Sequence, residues 1–153
     1  MAEPEIKILG KNKKAFFNYS VEESMECGIE LKGTEVKSIK SGKFSFTDSY
    51  AKIKNDEVWL VQFHISPYPF GNIFNHEPDR ERKLLVHKHE IKRLKRKVEE
   101  RGFTLVPLQL YLKKGLVKVE LGVCRGKKIY DKRDDIKQRD LKRETDRELR
   151  NLR

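Results

Sequence analysis

Apolar side chains fall mostly on alternate positions along the chain, the period of strands with one face on a core. Ala15 to Val21 predicts a first strand with Phe17, Tyr19 and Val21 on one face, entered from a basic, loop-like Lys11-Asn12-Lys13-Lys14. Cys27 to Leu31 alternates again, with Cys27, Ile29 and Leu31 inward, as a second strand or an extension of the first. Thr34 to Gly42 predicts a short helix: Thr34 caps it, Val36 and Ile39 share a face, and Gly42 stops it. Three strand-like runs follow at Phe44 to Phe46, Tyr50 to Ile53 and Glu57 to Phe63, with Asn55-Asp56 as the hairpin turn between the last two. Ser66 to Pro78 holds three prolines and a glycine and predicts a long irregular loop.

Only His87 to Arg101 carries a clear helical period. Ile91, Leu94 and Val98 fall at i, i+3 and i+7 among basic residues, and Gly102 ends the run. Thr104 to Leu112 and Leu116 to Val123 predict two strands around the tight turn Lys113-Lys114-Gly115, with Lys118 and Glu120 on the solvent face. The pattern then fades. Leu141, Leu149 and Leu152 make a stripe too thin to pack a core, so Asp134 to Arg153 is expected to be disordered in free solution and helical against a partner. The fold class is mainly β (α+β), with an OB-like antiparallel barrel as the architecture that closes its sheet edges. Residues 1–124 are expected to form the barrel, and 125–153 a basic linker and tail.

Composition sharpens this picture. Charged residues are 39% of the 153 and hydrophobic ones 37%, so part of the chain contributes no core. No run approaches the ~20 apolar residues of a bilayer crossing, the first residues lack the apolar stretch of a secretory signal, and Cys27 and Cys124 are too isolated for a disulfide framework. A basic cytoplasmic protein is expected. Its net charge of +11 is clustered: Arg80 to Arg101 carries +6 and Arg125 to Arg153 +5, while Ser20 to Glu35 carries −4. Clustering of this kind predicts a nucleic-acid surface rather than a uniformly solvated one.

Catalytic chemistry finds little support. His87 and His89 sit at i, i+2 and would diverge at a helix start, so neither they nor His76 predict a metal site. Glu35, Asp48, Glu77 and Asp79 could bind Mg²⁺ for a nuclease, but no spacing selects them, and no phosphate-binding glycine loop or nucleophile elbow is present. The basic segments are more informative. Lys11 to Lys14 supplies three cations and an amide; Arg80 to Lys83 leads into Leu84-Leu85, of which one could be core and the other a contact for an unstacked base. Arg125 to Arg133 is the strongest basic run, with Tyr130 inside it.

Taken in order, Asn12-Lys13-Lys14-Ala15, Gly28 to Leu31 with Gly33 to Ser38, Arg82 to Leu85, and Gly122-Val123 with Gly126 to Lys128 ahead of Asp131 to Arg133 resemble the SsrA-binding (small protein B) family, from about Lys11 to Arg153. The resemblance implies an OB-type barrel, a flexible tail and a role in trans-translation as a binding adaptor, not an enzyme. Its partners would be the tRNA-like domain of transfer-messenger RNA, the stalled ribosome, and elongation factor Tu in the delivery complex; the protein would be a monomer without cofactor or metal. The RNA surface would include Asn12, Lys13, Tyr19, Glu26, Leu85 and Lys118, joined by Arg125, Lys127 and Lys128 of the basic run. Asp131, Lys132 and Arg133 would approach the decoding centre, and the residues beyond them would become helical in the empty mRNA channel. Tyr130 stands where some relatives carry histidine, which keeps stacking and removes protonation. Short of the family, the competing readings are a ribosome-associated structural protein and a metal-dependent nuclease.

Overall fold

A computed structural model describes residues 6–70 and 75–126, which hold nine strands and three helices. Strand β1 (Ile6–Lys11) leads into helix α1 (Lys13–Asn18) and the long strand β2 (Tyr19–Ile29). Helix α2 (Gly33–Lys40) is followed by β3 (Phe44–Ser45), β4 (Tyr50–Lys54), β5 (Glu57–Val61), β6 (His64–Ile65) and β7 (Arg82–Leu85). Helix α3 (Lys88–Arg101), β8 (Thr104–Lys113) and β9 (Leu116–Gly126) complete the body. Neighbouring strands run β8-β4-β5-β7-β2-β9 and return to β8, with β1 added along β8; all pairings are antiparallel. A sheet closed on itself in this way is the predicted OB-like barrel. None of the described helices is long and apolar enough to cross a membrane.

The interior is filled by the alternating residues. Val117, Val119, Leu121 and Val123 of β9 all face it, as predicted, beside Leu60, Leu84, Leu105 and Leu110. Ile91 and Leu94 of α3 seal one side, and Gly102 at φ 69° ends that helix so that Phe103 turns back into the core. Both predicted hairpin turns have left-handed backbones, Asn55-Asp56 at φ 53° and 58° and Lys114-Gly115 at 53° and 76°.

Two expectations are corrected. Ala15 to Asn18 is helix, not strand: the Asn12 side chain accepts a hydrogen bond from the Ala15 N–H at 3.2 Å and starts a turn that overrides the local alternation. This short helix lies on the outer face of the barrel, where Ala15 packs with Val106, Leu108 and Cys124 as a second small core. Thr34 does not cap α2; its hydroxyl bonds His76 Nδ1 at 2.9 Å, and Glu35 reaches back to the Lys32 N–H at 2.7 Å. The strand β1 is an addition the alternation did not mark.

Among the described residues, a buried ion cluster centred on Glu35 and Arg82 joins α2 to β7. Glu35 has no solvent exposure and accepts from Arg80 and from Arg82 Nε, each at 2.6 Å. Arg82, also fully buried, donates further to the carbonyls of Phe63 (2.5 Å), Glu77 (3.2 Å) and Pro78 (3.0 Å). Burial alone would raise the Glu35 pKa, but Arg80, the Lys32 N–H and Arg82 outweigh it and hold the carboxyl below the usual range. Burial disfavours the Arg82 guanidinium, which its acceptors keep charged at neutral pH.

Glu35→Gln is expected to lower stability by about 3–5 kcal/mol, because it strands buried guanidinium charge. Asp48→Asn, which breaks the exposed 2.7 Å pair with Lys14, should change it by less than about 1 kcal/mol. Urea unfolding of both variants measures the contrast. Since the folded Glu35 pKa lies below its ordinary 4.5, its contribution is complete above that value and fades as pH falls through the folded one. Stability of Glu35→Gln should therefore be flatter with pH on the acid side than that of the parent.

Candidate nucleic-acid interface

Strand register places the candidate residues. Across the barrel, Leu85 of β7 lies opposite Gly28 of β2, Gly28 opposite Lys118 of β9, Lys118 opposite Tyr111 of β8, and Tyr111 opposite Ile8 of β1. Directly opposed residues share a face, so these five form one outer row at about 4.8 Å per strand. Leu84 and Leu85 divide the two roles posed by the sequence: Leu84 is 1% exposed in the core and Leu85 50% exposed outside. Gly28 permits this placement. A Cβ there would stand 3.1 Å from Leu85 Cδ1 and 3.2 Å from its Cβ, so the leucine lies across bare backbone.

Glu26 sits two residues up the same face. Its Oε1 accepts from the Tyr111 hydroxyl at 2.5 Å and from Lys113 Nζ at 3.3 Å. The Tyr111 hydrogen bond, aided by Lys113 against partial desolvation, holds the Glu26 carboxyl below its usual range, and burial with the nearby carboxylate pushes the Tyr111 phenol up. An ionised carboxylate, a lysine ammonium at Lys118 and an exposed leucine thus stand together. They offer an acceptor for base or ribose donors, a phosphate partner and an apolar surface for an unstacked base.

Tyr19 is seven residues from Glu26, an odd spacing that simple alternation would put on opposite faces. A bulge between Val21 and Glu23 restores the match. Tyr19 and Val21 therefore pack against the outer cluster beneath α1, while Cys27 and Ile29 face the barrel interior. About 23 Å of strand separates Tyr19 from Glu26, so the surface is elongated. At the Tyr19 end Lys13 is exposed and Phe16 is 47% exposed. Arg125 lies opposite Ser20 at the end of β9, with its guanidinium 4.6 Å from the Phe103 ring centroid.

Asn12 is not on the surface. It is 5% exposed, with its amide donating to the Pro107 carbonyl at 2.9 Å and its oxygen capping α1. Its part in any interface is to hold α1 and the neighbouring Lys13 in place. Lys127, Lys128, Tyr130, Asp131, Lys132 and Arg133, and the tail from Asp134, lie outside the described residues. Ile8 and Phe16 extend the surface beyond the sequence-based set, and Tyr111, 6% exposed, braces Glu26 from beneath it.

The other candidate chemistry disperses. His87 and His89 do not diverge but stack, at 5.6 Å between centroids and 12° between planes. Glu35 is enclosed by arginines, Asp48 pairs with Lys14 and Asp79 with His64 at 3.0 Å, and no described group of three or more metal-ligating side chains converges. Both cysteines are free and buried, and burial pushes the thiols up to about 12 for Cys27 and about 11 for Cys124. They are not nucleophiles at neutral pH.

The family model described as SmpB protein matches residues 9–151. A protein of Treponema denticola described as SsrA-binding protein is 62% identical over 149 residues, covering 97% of each chain. Another SsrA-binding protein, of Desulfitobacterium hafniense, is 57% identical over 150 residues, 98% of this chain and 96% of its own. A solved chain described as "tmRNA-SmpB: a journey to the center of the bacterial ribosome" is similar with a TM-score of 0.66 and 49% identity, over 78% of this chain and 85% of that one.

Gly28→Ala should leave the barrel folded yet displace Leu85. Methyl spectra should show the Leu85 resonances shifted and those of Leu84 and Leu121 nearly unmoved. Unshifted Leu85 methyls would show that the glycine does not set the position of that side chain.

Proposed function

The chain belongs to the SmpB protein family, and we propose that it is the RNA-binding adaptor of trans-translation. In this role it binds the tRNA-like domain of transfer-messenger RNA and carries it to ribosomes stalled on messages without a stop codon. The observation that carries the reading is the outer row Leu85–Gly28–Lys118 with Glu26 beside it. Such a row combines one apolar, one cationic and one anionic group on rigid strands, which suits the shape and donor pattern of a folded RNA loop better than generic polyanion binding. Lys13 and Tyr19 continue the surface at the start of β2, and Asn12 positions it; Arg125, on the other parity of β9 over Phe103, would reach the RNA from the strand end.

The part played is binding and not catalysis. Elongation factor Tu would accompany the complex, and the protein would act as a cytoplasmic monomer. Lys127 and Lys128 would join the RNA contact, Tyr130 to Arg133 would meet the decoding centre, and the tail from Asp134 would fold only where the mRNA channel is empty. The tail's seven basic and six acidic side chains support this last step, since a helix of such composition is marginal alone and gains stability where rRNA phosphates meet its basic face. A channel already filled by mRNA excludes it.

Leu85→Ala should weaken binding to the tRNA-like domain about tenfold, the scale of one lost base contact. Lys118→Ala should reduce the salt slope of log affinity by about 0.9 if the RNA there is duplex. Filter binding at several salt concentrations, with random duplex RNA as competitor, reads both. A ribosome-associated structural protein would show no preference for the tRNA-like RNA.

Truncation after Arg133 separates the two RNA regions. It is expected to leave binding to the tRNA-like domain intact and to abolish peptide tagging on stalled ribosomes in a reconstituted translation system. Normal tagging by the truncated protein would sink the sensor role of the tail.

A further inference from the structure

Lys37, Lys40 and Lys43 are exposed, and none of them pairs with a carboxylate among the described residues. Some cations elsewhere on the body, Lys14, Lys52, Lys83, Arg93, Lys97 and Lys113, each have an acidic partner, while others such as Lys13, Lys88 and Lys95 share the unpaired state, so it is the aromatic rings beside α2 that set this group apart. Lys37 and Lys40 are three apart on α2 and share a side of it, opposite the direction in which Glu35, Ser38 and Ile39 are buried. Lys43 follows where the chain leaves the helix, and its carbonyl accepts from the Ser66 N–H at 2.9 Å. That bond ties the start of the proline-rich loop to the chain leaving α2.

The loop presents aromatic rings there. Tyr68 and Phe70 meet edge to face with centroids 5.6 Å apart, and Lys37 Nζ stands 5.5 Å from the Tyr68 centroid. Phe70 is 83% exposed, the most exposed large apolar side chain described. The Tyr68 on which it packs is held in place. The Asn75 side chain pairs with both backbone groups of Tyr68, donating to its carbonyl at 2.7 Å and accepting from its N–H at 3.2 Å, as a neighbouring strand would. Asn75 also accepts from the N–H of His76, which is 4% exposed and bonded to the Ile65 carbonyl and to Thr34, both at 2.9 Å. Pro67 and Pro69 flank Tyr68 and restrict the backbone further. An exposed phenyl packed on a braced tyrosine, with Lys37 over that tyrosine and two more unneutralised lysines on the adjoining segment, is a preorganised stacking platform with phosphate partners nearby.

We propose that Phe70 and Tyr68, with Lys37, Lys40 and Lys43, form a second RNA site that stacks an unpaired base and neutralises its flanking phosphates. The proposal rests on the RNA-adaptor reading and adds a contact that reading lacks. None of these residues lies on β7, β2, β9 or β8, which carry the Leu85–Lys118 row, so the two surfaces can be engaged by different stretches of RNA. Stacking on an aromatic face tolerates any base, and the site is therefore one for single-stranded RNA of loose sequence preference.

The test uses the full chain, a labelled short oligouridylate as probe, and the tRNA-like domain of transfer-messenger RNA in a parallel arm. Phe70→Ala is expected to weaken oligouridylate binding about tenfold and to leave affinity for the tRNA-like domain within about twofold. Phe70→Tyr should restore it. The double variant Lys37→Ala/Lys40→Ala should lower the salt slope for oligouridylate by about 1.4. Unchanged oligouridylate binding by Phe70→Ala overturns the proposal. So does a parallel loss in both arms, which would make the loop part of the first interface, or stronger competition by polyglutamate than by unlabelled oligouridylate, which would assign the surface to an acidic protein. If the wild-type chain fails to prefer the tRNA-like domain while the oligouridylate arm behaves as expected, the adaptor reading falls and the second site stands.

Discussion

A carboxylate with no solvent exposure, gripped by two guanidinium groups, is the constraint on which the rest of this body depends. Strand β7 is four residues long and shares two paired positions with β2 and three with β5. So short a strand is weakly specified by its ladder alone. Arg82 removes the ambiguity because only one register puts its guanidinium against Glu35 and the carbonyls of Phe63, Glu77 and Pro78. With Arg82 and Leu84 fixed inward, Leu85 must face out. The same cluster holds α2, where Lys37 and Lys40 reside, and the segment that follows the proline-rich loop. A hydrophobic replacement could match its stability, but it would not fix which way the strand faces.

The second organising device is a change of strand parity. Strand β9 runs straight, with inward Val117 to Val123 and outward Lys118 to Cys124 alternating without a break. Its two neighbours each carry an extra residue, between Val21 and Glu23 in β2 and between Pro107 and Gln109 in β8. Bulges on both sides of one strand increase its local twist and open the outer face on which α1 sits. Gly122 makes room there: a Cβ would lie 2.8 Å from Leu108, the bulged residue. The bulges thus serve packing and surface together, burying the outer cluster under α1 while keeping Tyr19 on the face that carries Glu26. Glu23, the first residue past the bulged Glu22 and opposite Val123, pairs with Arg93 and Lys97 and ties α3 to β2.

These particulars explain what could be read from the chain beforehand. Strands β8 and β9, helix α3 and both hairpin turns were legible because period, glycine placement and burial all agree there. Helix α1 was not, because Phe17, Tyr19 and Val21 mimic a strand and one capping side chain decides otherwise. Bulges leave no mark in an alternation pattern, so the common face of Tyr19 and Glu26 could not be derived from their spacing. Asn12 drew notice as a surface contact, but its chemistry serves the fold: an asparagine that can both cap a helix and hold a distant carbonyl looks, in sequence, like one that faces a ligand. The Glu35–Arg82 pairing spans forty-seven positions, and no local pattern announces a contact of that range.

The acid within the basic surface carries the last step. With a net charge of +11, attraction to any polyanion is already supplied, and further cations on the row would strengthen wrong and right partners alike. Glu26 does the opposite. Tyr111 and Lys113 keep it ionised by hydrogen bonding and charge, so a phosphate brought to that point meets repulsion, while a base or ribose donor meets a strong acceptor. Discrimination is a difference between affinities, and an element that repels the generic contact raises it even while lowering the total. On the proposed function, the row is therefore selective because its charges are mixed: Lys118 holds the backbone, Leu85 covers a base, and Glu26 rejects RNA that offers phosphates where donors should be.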